Sequence, residues 1–227
     1  MNSPQKTARI AGLLYLVVVL TGFFSLLYIP SKLVVWDNAA TTTTNIITNE
    51  TLFRLGIVAG IICYIAFLFL PVLLYKLLQA VNKVHAIAMV ILAVTSVPIS
   101  LINLANKFAI LTWISKAAYL DVFPAGEIQA QVLLHLHYYN NGIEIASIFW
   151  GFWLLPFGYL VYKSGFLPKI LGIFLMAGCF GYIINFSAGF LFPAYNKTGI
   201  SSYISIPSAI GEIGTCLWLF NYGSKEK

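Results

Sequence analysis

The stretch HLHYYNNGIE, residues 135–144, gathers histidines, tyrosines, asparagines and a glutamate within an otherwise strongly apolar chain. Imidazole and carboxylate groups are the side chains that bind metal ions and transfer protons. At 100° per residue, His137, Asn141 and Glu144 lie within about 60° of one another on a helix. His135 lies about 160° from His137, because residues two apart do not share a helix face. The spacing therefore predicts one polar face that carries His137, and not a chelate formed by both histidines.

Further polar and charged side chains lie within long apolar runs or at their ends. Glu212 lies about nine residues into its run, roughly 13 Å deep at 1.5 Å per residue. A charge in hydrocarbon costs about 2.5–3.5 kcal/mol on insertion scales, so each one needs a partner or water. We expect carboxylates, cations and amides to converge in one polar cluster, with Asn185 joining either this cluster or a helix interface. The predicted members are Glu212, Arg54, Glu144, Lys107, His137, Asn141, Asn103 and Asn185.

Three interpretations of this cluster stay open. The carboxylates pair with Arg54 and Lys107 and hold the helices together, or the cluster lines an outward-facing pocket or pathway for a small molecule, a lipid or a proton. In the third, the protein is an intramembrane hydrolase or transferase with His137, Glu144 and Glu212 around a metal ion. The chain has no HExxH or GxSxG motif to support an enzyme. The sequence favours a non-enzymatic role in binding, transport or structural support, with no cofactor and no resident metal.

The composition predicts which elements position these residues. Of the 227 residues, 60% are hydrophobic and 9% are charged, whereas a soluble domain carries about 25% charged residues. Apolar runs of about 20 residues suffice to cross roughly 30 Å of hydrocarbon as helices, and their continuity argues against a β-barrel. We predict an all-α, polytopic membrane protein in which residues 1–227 form one domain. Its six predicted spans are 10–29, 53–75, 86–107, 142–162, 169–192 and 203–222.

The distribution of charge predicts the orientation of these spans and their partners. With the N-terminus in the cytoplasm, 8 of the 13 Lys and Arg residues lie inside, and four of the seven acidic residues lie outside. The positive-inside rule then favours both termini in the cytoplasm. The cations are scattered singly at the ends of runs, so the bilayer is the expected partner and nucleic acid is not.

The two long outer connections make the outer face the elaborated one. Residues 30–50 contain a threonine run of weak helix propensity. Residues 115–139 have the composition of an amphipathic helix that lies on the outer membrane surface. Since connecting segments carry binding and catalytic residues more often than spans do, we expect function at this face.

Several blocks of the sequence resemble a family of bacterial membrane proteins catalogued as domain of unknown function 4386. The resemblance covers nearly the whole chain and implies about six membrane helices in a bacterial cytoplasmic membrane. It implies no established activity, cofactor or catalytic residue. Glu212 and Arg54 lie inside matching blocks, whereas family members tend to carry an aspartate where this chain has Asn185. The matching blocks include ARIAGLLYL (8–16), ETLFRLGI (50–57), LPFGYLVYKSGFLPKILG (155–172), GYIINFSA (181–188) and IGEIGTCLWL (210–219).

Overall fold

The computed structural model describes residues 4–192, 194–195 and 198–224, and this part of the chain contains helices and no strand. Among the described residues, Phe24–Tyr28 form a π-helical turn and Ala118–Leu120 form a 3₁₀ turn. The α-helices are α1 (Pro4–Phe23), α2 (Ile29–Leu33), α3 (Ala39–Thr48), α4 (Glu50–Leu78), α5 (Lys83–Asn103), α6 (Ala105–Trp113), α7 (Ala125–Phe152), α8 (Leu154–Lys163), α9 (Lys169–Leu191), α10 (Ile200–Ile204) and α11 (Ile206–Ser224).

Consecutive helices combine into spans. Six helical stretches of the described chain are long and apolar enough to cross a membrane, which confirms the all-α class and the number of spans. They are Pro4–Leu33, Glu50–Leu78, Lys83–Trp113, Ala125–Lys163, Lys169–Leu191 and Ile200–Asn221. The start of α1 and the end of α11 lie on the same face of the bundle, because Gly12 packs against Phe220, and we call this face the terminal face. The opposite face, which carries residues 34–49 and 114–124, is called the loop face.

The fourth span differs most from its predicted bounds. The helix begins at Ala125, so most of the segment predicted to lie on the membrane surface is continuous with the span. Val132 and Leu136 are fully or almost fully buried there and pack with Ile46 and Ile110. This apolar contact holds the start of α7 against the bundle, which corrects the prediction of a separate surface helix within 115–139.

The threonine run also forms a helix, α3, in spite of its weak intrinsic propensity. Asn38 caps its start, because the side-chain oxygen accepts a hydrogen bond from the Thr41 amide at 2.9 Å. Thr42 exchanges hydrogen bonds with the backbone of Val35 and is fully buried. A cap and tertiary burial therefore outweigh the cost of β-branched residues.

Glycines allow the backbones of α1 and α11 to approach closely near the terminal face. A Cβ atom on Gly12 would lie 2.5 Å from the Phe220 amide nitrogen, and the Cys216 thiol lies 3.6 Å from the Gly12 carbonyl oxygen. Such contacts between small residues are a common basis of helix packing in membranes. They fix the two ends of the chain to each other.

Towards the loop face, α1 and α11 pack against different helices. α1 and the π-helical turn pack along α4. The Cys63 thiol lies 3.5 Å from the Val18 carbonyl oxygen, and Ser25 lies beside Gly60. α11 packs along α9, where Ser208 contacts Gly178. The two helices therefore separate, and a gap opens between them on the loop-face side of Gly12.

We predict that Gly12→Ala lowers the stability of the folded bundle by about 1–3 kcal/mol, because the added methyl group overpacks the α1–α11 contact. Thermal unfolding of the purified protein in detergent measures the effect. Gly126→Ala is the matched control, since a Cβ atom at Gly126 meets nothing within 4 Å. Equal melting temperatures for the two variants would contradict the packing of α1 on α11.

Candidate functional site

The gap between α1 and α11 is a cavity of about 390 Å³. α1 and the π-helical turn contribute residues from Tyr15 to Leu27, whereas α11 contributes only Glu212 and Ile213. The cavity therefore lies on the loop-face side of the Tyr15–Glu212 contact. Its full lining is Tyr15, Val18, Val19, Gly22, Phe23, Leu26, Leu27, Cys63, Tyr64, Phe67, Trp150, Trp153, Tyr182, Glu212 and Ile213.

The cavity opens sideways, between helices. At its rim, Phe23 is 57% exposed and Leu27 is 62% exposed, and both lie in a segment apolar enough to span a membrane. Large apolar side chains exposed within such a segment contact hydrocarbon in a membrane. The cavity is therefore open at an apolar, exposed side of α1 and the π-helical turn.

Aromatic rings form the inner wall. Trp153 is almost completely buried and meets the edge of Phe67 at 5.2 Å between ring centroids. It also stacks on Phe157 at 4.9 Å and touches Tyr15 at 6.4 Å. Rings interlocked in this way are stiff and bury a large apolar area. The wall is therefore preformed, as is usual for a small-molecule pocket.

One carboxylic acid, Glu212, lies in this apolar lining. The Tyr15 hydroxyl donates a hydrogen bond to Glu212 Oε2 at 3.2 Å, and Tyr15 itself is buried. Glu212 forms no ion pair with any residue that the structure describes. Tyr182 from α9 also lines the cavity near Glu212. Glu212 and its tyrosines thus give the cavity one polar end capable of accepting and donating hydrogen bonds.

Arg54 does not join Glu212 or Glu144. It forms an ion pair with Glu50, one helical turn earlier in α4, with 2.6 Å between Nη2 and Oε1. Both side chains are exposed at the loop-face end of the helix. The structure thus does not bring Arg54 together with Lys107, Glu144 and Glu212 as we expected. Arg54 pairs instead with Glu50 of its own helix.

The predicted polar face of α7 exists but does not reach the cavity. Asn141 is exposed, and Glu144 accepts a hydrogen bond from Asn140 Nδ2 at 3.3 Å. His137 packs against the Trp36 ring with 5.1 Å between centroids. Within the described residues, no three His, Cys, Asp or Glu side chains are placed to hold a metal ion. The structure therefore does not bring His137 and Glu144 together with Glu212.

Asn103 and His135 belong to a polar chain that joins α5 and α6 to α7. Asn103 Nδ2 donates to the Tyr139 carbonyl oxygen at 2.7 Å, and Asn106 Nδ2 donates to Asn103 Oδ1 at 3.1 Å. Asn106 Oδ1 lies 3.3 Å from His135 Nδ1. Gly142 makes room for the Asn103 amide, because any Cβ atom there would overlap it. This chain connects helices at a distance from Glu212.

The remaining two predicted residues have separate environments. Asn185 Nδ2 donates to the Ser201 carbonyl oxygen at 3.1 Å and to Ser205 Oγ at 2.9 Å, which ties α9 to α10. Its oxygen accepts a hydrogen bond from the Tyr195 hydroxyl. Lys107 of α6 is buried and lies over the Tyr139 ring, and it pairs with no carboxylate among the described residues.

Most of the aromatic residues that line the cavity are not predicted from the sequence. Tyr15, Tyr64 and Tyr182 were not singled out, because tyrosines within apolar runs resemble ordinary packing residues. Tryptophans in apolar runs, such as Trp150 and Trp153, likewise have the pattern of ordinary packing or interfacial residues. The available signal was a tyrosine hydroxyl near the middle of a span, where it needs a polar partner. Which partner it has depends on the helix arrangement, and the sequence does not give this.

Asn103 lies buried between helices, whereas Asn141 is exposed on α7. Asn103→Ala removes an interhelical hydrogen bond and should lower stability by about 0.6–2 kcal/mol, the range for such bonds within membranes. Asn141→Ala on the exposed side of α7 is the control and should change stability by less than about 0.5 kcal/mol. Unfolding curves of the two variants in one detergent measure the difference. The reverse order of stability would show that Asn103 does not join α5 to α7.

Comparison with known proteins gives a family. The family model described as Domain of unknown function (DUF4386) matches residues 10–223 of this chain. An uncharacterized protein of Archaeoglobus fulgidus is 34% identical over 83 residues, which are 37% of this chain and 47% of the relative. The chain thus spans about half the length of that curated relative. No solved structure matches the chain.

Proposed function

The chain belongs to the family described as Domain of unknown function (DUF4386), and we propose that it binds an amphipathic small molecule or lipid taken from the bilayer. The observation that carries the proposal is a laterally open cavity with one carboxylic acid at its inner end. Its volume of about 390 Å³ is within the range of about 300–1,000 Å³ found for small-molecule sites. The role is binding, or transport that depends on binding, without a chemical reaction.

The lining selects the chemistry of the ligand. Apolar rims and aromatic walls suit a hydrocarbon chain or ring, which gains about 25 cal/mol per Å² removed from water. Glu212 and Tyr15 suit a hydroxyl or amine on the ligand, since both side chains accept hydrogen bonds and Tyr15 also donates. An amphiphile with one hydrogen-bonding head therefore matches both parts of the cavity.

A purely structural role for Glu212 has less support. A carboxylate that holds helices together would have a cation as its partner, and no described residue forms an ion pair with Glu212. Its one hydrogen bond comes from Tyr15, and the cavity begins beside that pair. Glu212 is therefore placed to contact a bound molecule.

The proposed setting is a bacterial cytoplasmic membrane, with the terminal face in the cytoplasm. The described cations at the terminal face outnumber those at the loop face, in agreement with the positive-inside rule. Lys197, Lys225 and Lys227, which also entered the prediction, lie outside the described residues. The terminal-face cations are Lys6, Arg9, Lys76, Lys83, Lys163 and Lys169, and the loop-face cations are Lys32, Arg54, Lys107 and Lys116. The lateral cavity would then open in the outer half of the membrane.

Single cysteines test this orientation in intact cells. We expect a membrane-impermeant maleimide to label Asn49→Cys before lysis and Lys83→Cys only after lysis. Both positions are exposed, one at each face. The unmodified protein is the control, because its three cysteines are buried. Labelling of Lys83→Cys in intact cells would place the terminal face outside.

Ligand binding is tested with dodecanol that carries a bromine atom, which quenches nearby tryptophan fluorescence. We expect saturable quenching in detergent, because Trp150 and Trp153 line the cavity. Glu212→Leu should weaken binding about tenfold or more, since a hydrogen bond to a carboxylate contributes about 1.5–3 kcal/mol. Glu144→Leu is the matched control, because this glutamate lies away from the cavity, and it should not change the affinity.

A steric variant distinguishes the cavity from the general protein surface. Val19→Trp places a large ring in the lining and should abolish saturable quenching by the brominated alcohol. Leu20→Trp adds the same ring to the exposed side of α1 and should leave binding intact. Equal binding by the wild type and Val19→Trp would contradict a ligand site in this cavity.

A further inference from the structure

Lys107 is a buried cation with no hydrogen-bond partner. It is 3% exposed, and its Nζ atom makes no hydrogen bond with any described residue. It lies within a stretch long and apolar enough to span a membrane, Lys83–Trp113. An unpaired ammonium group is costly there, because neither water nor a carboxylate replaces its hydration shell. The surroundings of Lys107 therefore need an explanation beyond helix packing.

The Tyr139 ring compensates Lys107 only in part. Nζ lies 4.1 Å from the ring centroid, close enough for a cation–π attraction. The ring face carries no lone pair in a fixed direction, so the three N–H donors of the ammonium group remain without acceptors. One face of the cation is thus stabilised by the protein, and the rest of it is available to another group.

Two buried serine hydroxyls lie beside the tyrosine pair formed by Tyr139 and Tyr64. The Tyr139 and Tyr64 hydroxyls are 3.5 Å apart. Ser25 lies beside Tyr139 and Ser100 lies beside Tyr64. Both serines are completely buried, and neither Oγ atom makes a hydrogen bond of normal distance and angle with a described residue. Two buried hydroxyl groups therefore lie beside the tyrosine that contacts Lys107 or beside its tyrosine neighbour.

The backbone of α1 changes at this position. Ser25 lies in the π-helical turn Phe24–Tyr28, which interrupts the regular α-helix. Such turns occur frequently at functional sites. Gly60 of α4 faces Ser25, and a Cβ atom on that glycine would lie 3.0 Å from Ser25 Oγ. The π turn and the glycine together bring a hydroxyl group into the interior beside the tyrosine pair.

We propose that Lys107, Ser25 and Ser100 form an interior binding site for a small anion such as chloride or formate. Buried polar groups without protein partners indicate a bound water or ion, and a buried cation without a counter-charge favours a partner with negative charge. The anion neutralises Lys107 and accepts hydrogen bonds from the serines. A cation does not suit this site, because Lys107 repels it.

This anion site is separate from the proposed ligand cavity. Tyr64 stands between them, since it lines the cavity and its hydroxyl meets Tyr139. The cavity has a carboxylic acid at its polar end, and the second site has an ammonium group. The two sites therefore take different chemical groups, and either proposal can fail without the other.

Thermal unfolding in a non-ionic detergent tests the anion site. Sodium chloride replaces sodium gluconate at constant ionic strength, because gluconate is too large for an interior site. An anion that binds only the folded state raises the melting temperature with the logarithm of its concentration. We expect this rise in the wild type and in Lys32→Met, an exposed loop-face lysine that serves as control. We expect no rise in Lys107→Met.

Lys107→Met also removes an unpaired buried charge, so it should fold and melt at or above the wild-type temperature in gluconate. If it does not fold, Ser100→Ala replaces it, and its melting temperature should rise less steeply with chloride concentration. Crystals grown with bromide should show an anomalous peak at hydrogen-bond distance from Lys107 Nζ. A wild type insensitive to chloride, or an equal rise in Lys107→Met or in its Ser100→Ala replacement, would overturn the proposal and leave water as the partner.

Discussion

The close contact between α1 and α11 at Gly12 determines the arrangement of much of the bundle. Because the two backbones nearly touch there, the first and last spans are neighbours, although they are far apart in sequence. Towards the loop face, α1 packs along α4 and α11 packs along α9. Side chains from α4, α7 and α9 line the resulting gap. Tyr15 and Glu212 lie at its narrow end, one turn from the contact.

Polar groups inside this bundle differ in how many hydrogen bonds they make with the protein. The asparagines and serines near helix ends form hydrogen bonds across helices, as Asn103 does with Tyr139 and Asn185 does with α10. Glu212 and Lys107, a carboxylic acid and an ammonium group within the spans, make few hydrogen bonds or none with the described residues. Local packing explains the first group. For the second group, we propose bound molecules as the missing partners.

Much of the fold follows from the sequence, whereas the site follows only in part. Six apolar runs define six helices, because hydrocarbon permits little else. The helix bounds of α3 and α7 were missed, since a cap at Asn38 and the burial of Val132 outweigh local propensity. Glu212 was identified from the cost of its charge, but its tyrosine partner was not. Helical periodicity gives the residues that share a face, and the neighbouring helix on that face depends on close contacts between glycines far apart in sequence.

The sideways opening at Phe23 and Leu27 has a consequence for how tightly a ligand must bind. An amphiphile partitions strongly into lipid, so its concentration beside the rim greatly exceeds its concentration in water. Occupancy then depends on exchange with neighbouring lipids, and a weak intrinsic affinity is enough to keep the cavity filled. Dissociation returns the molecule to hydrocarbon without exposing its tail to water. Selectivity must therefore come from the polar end of the cavity, because every lipid chain offers the apolar walls nearly the same surface.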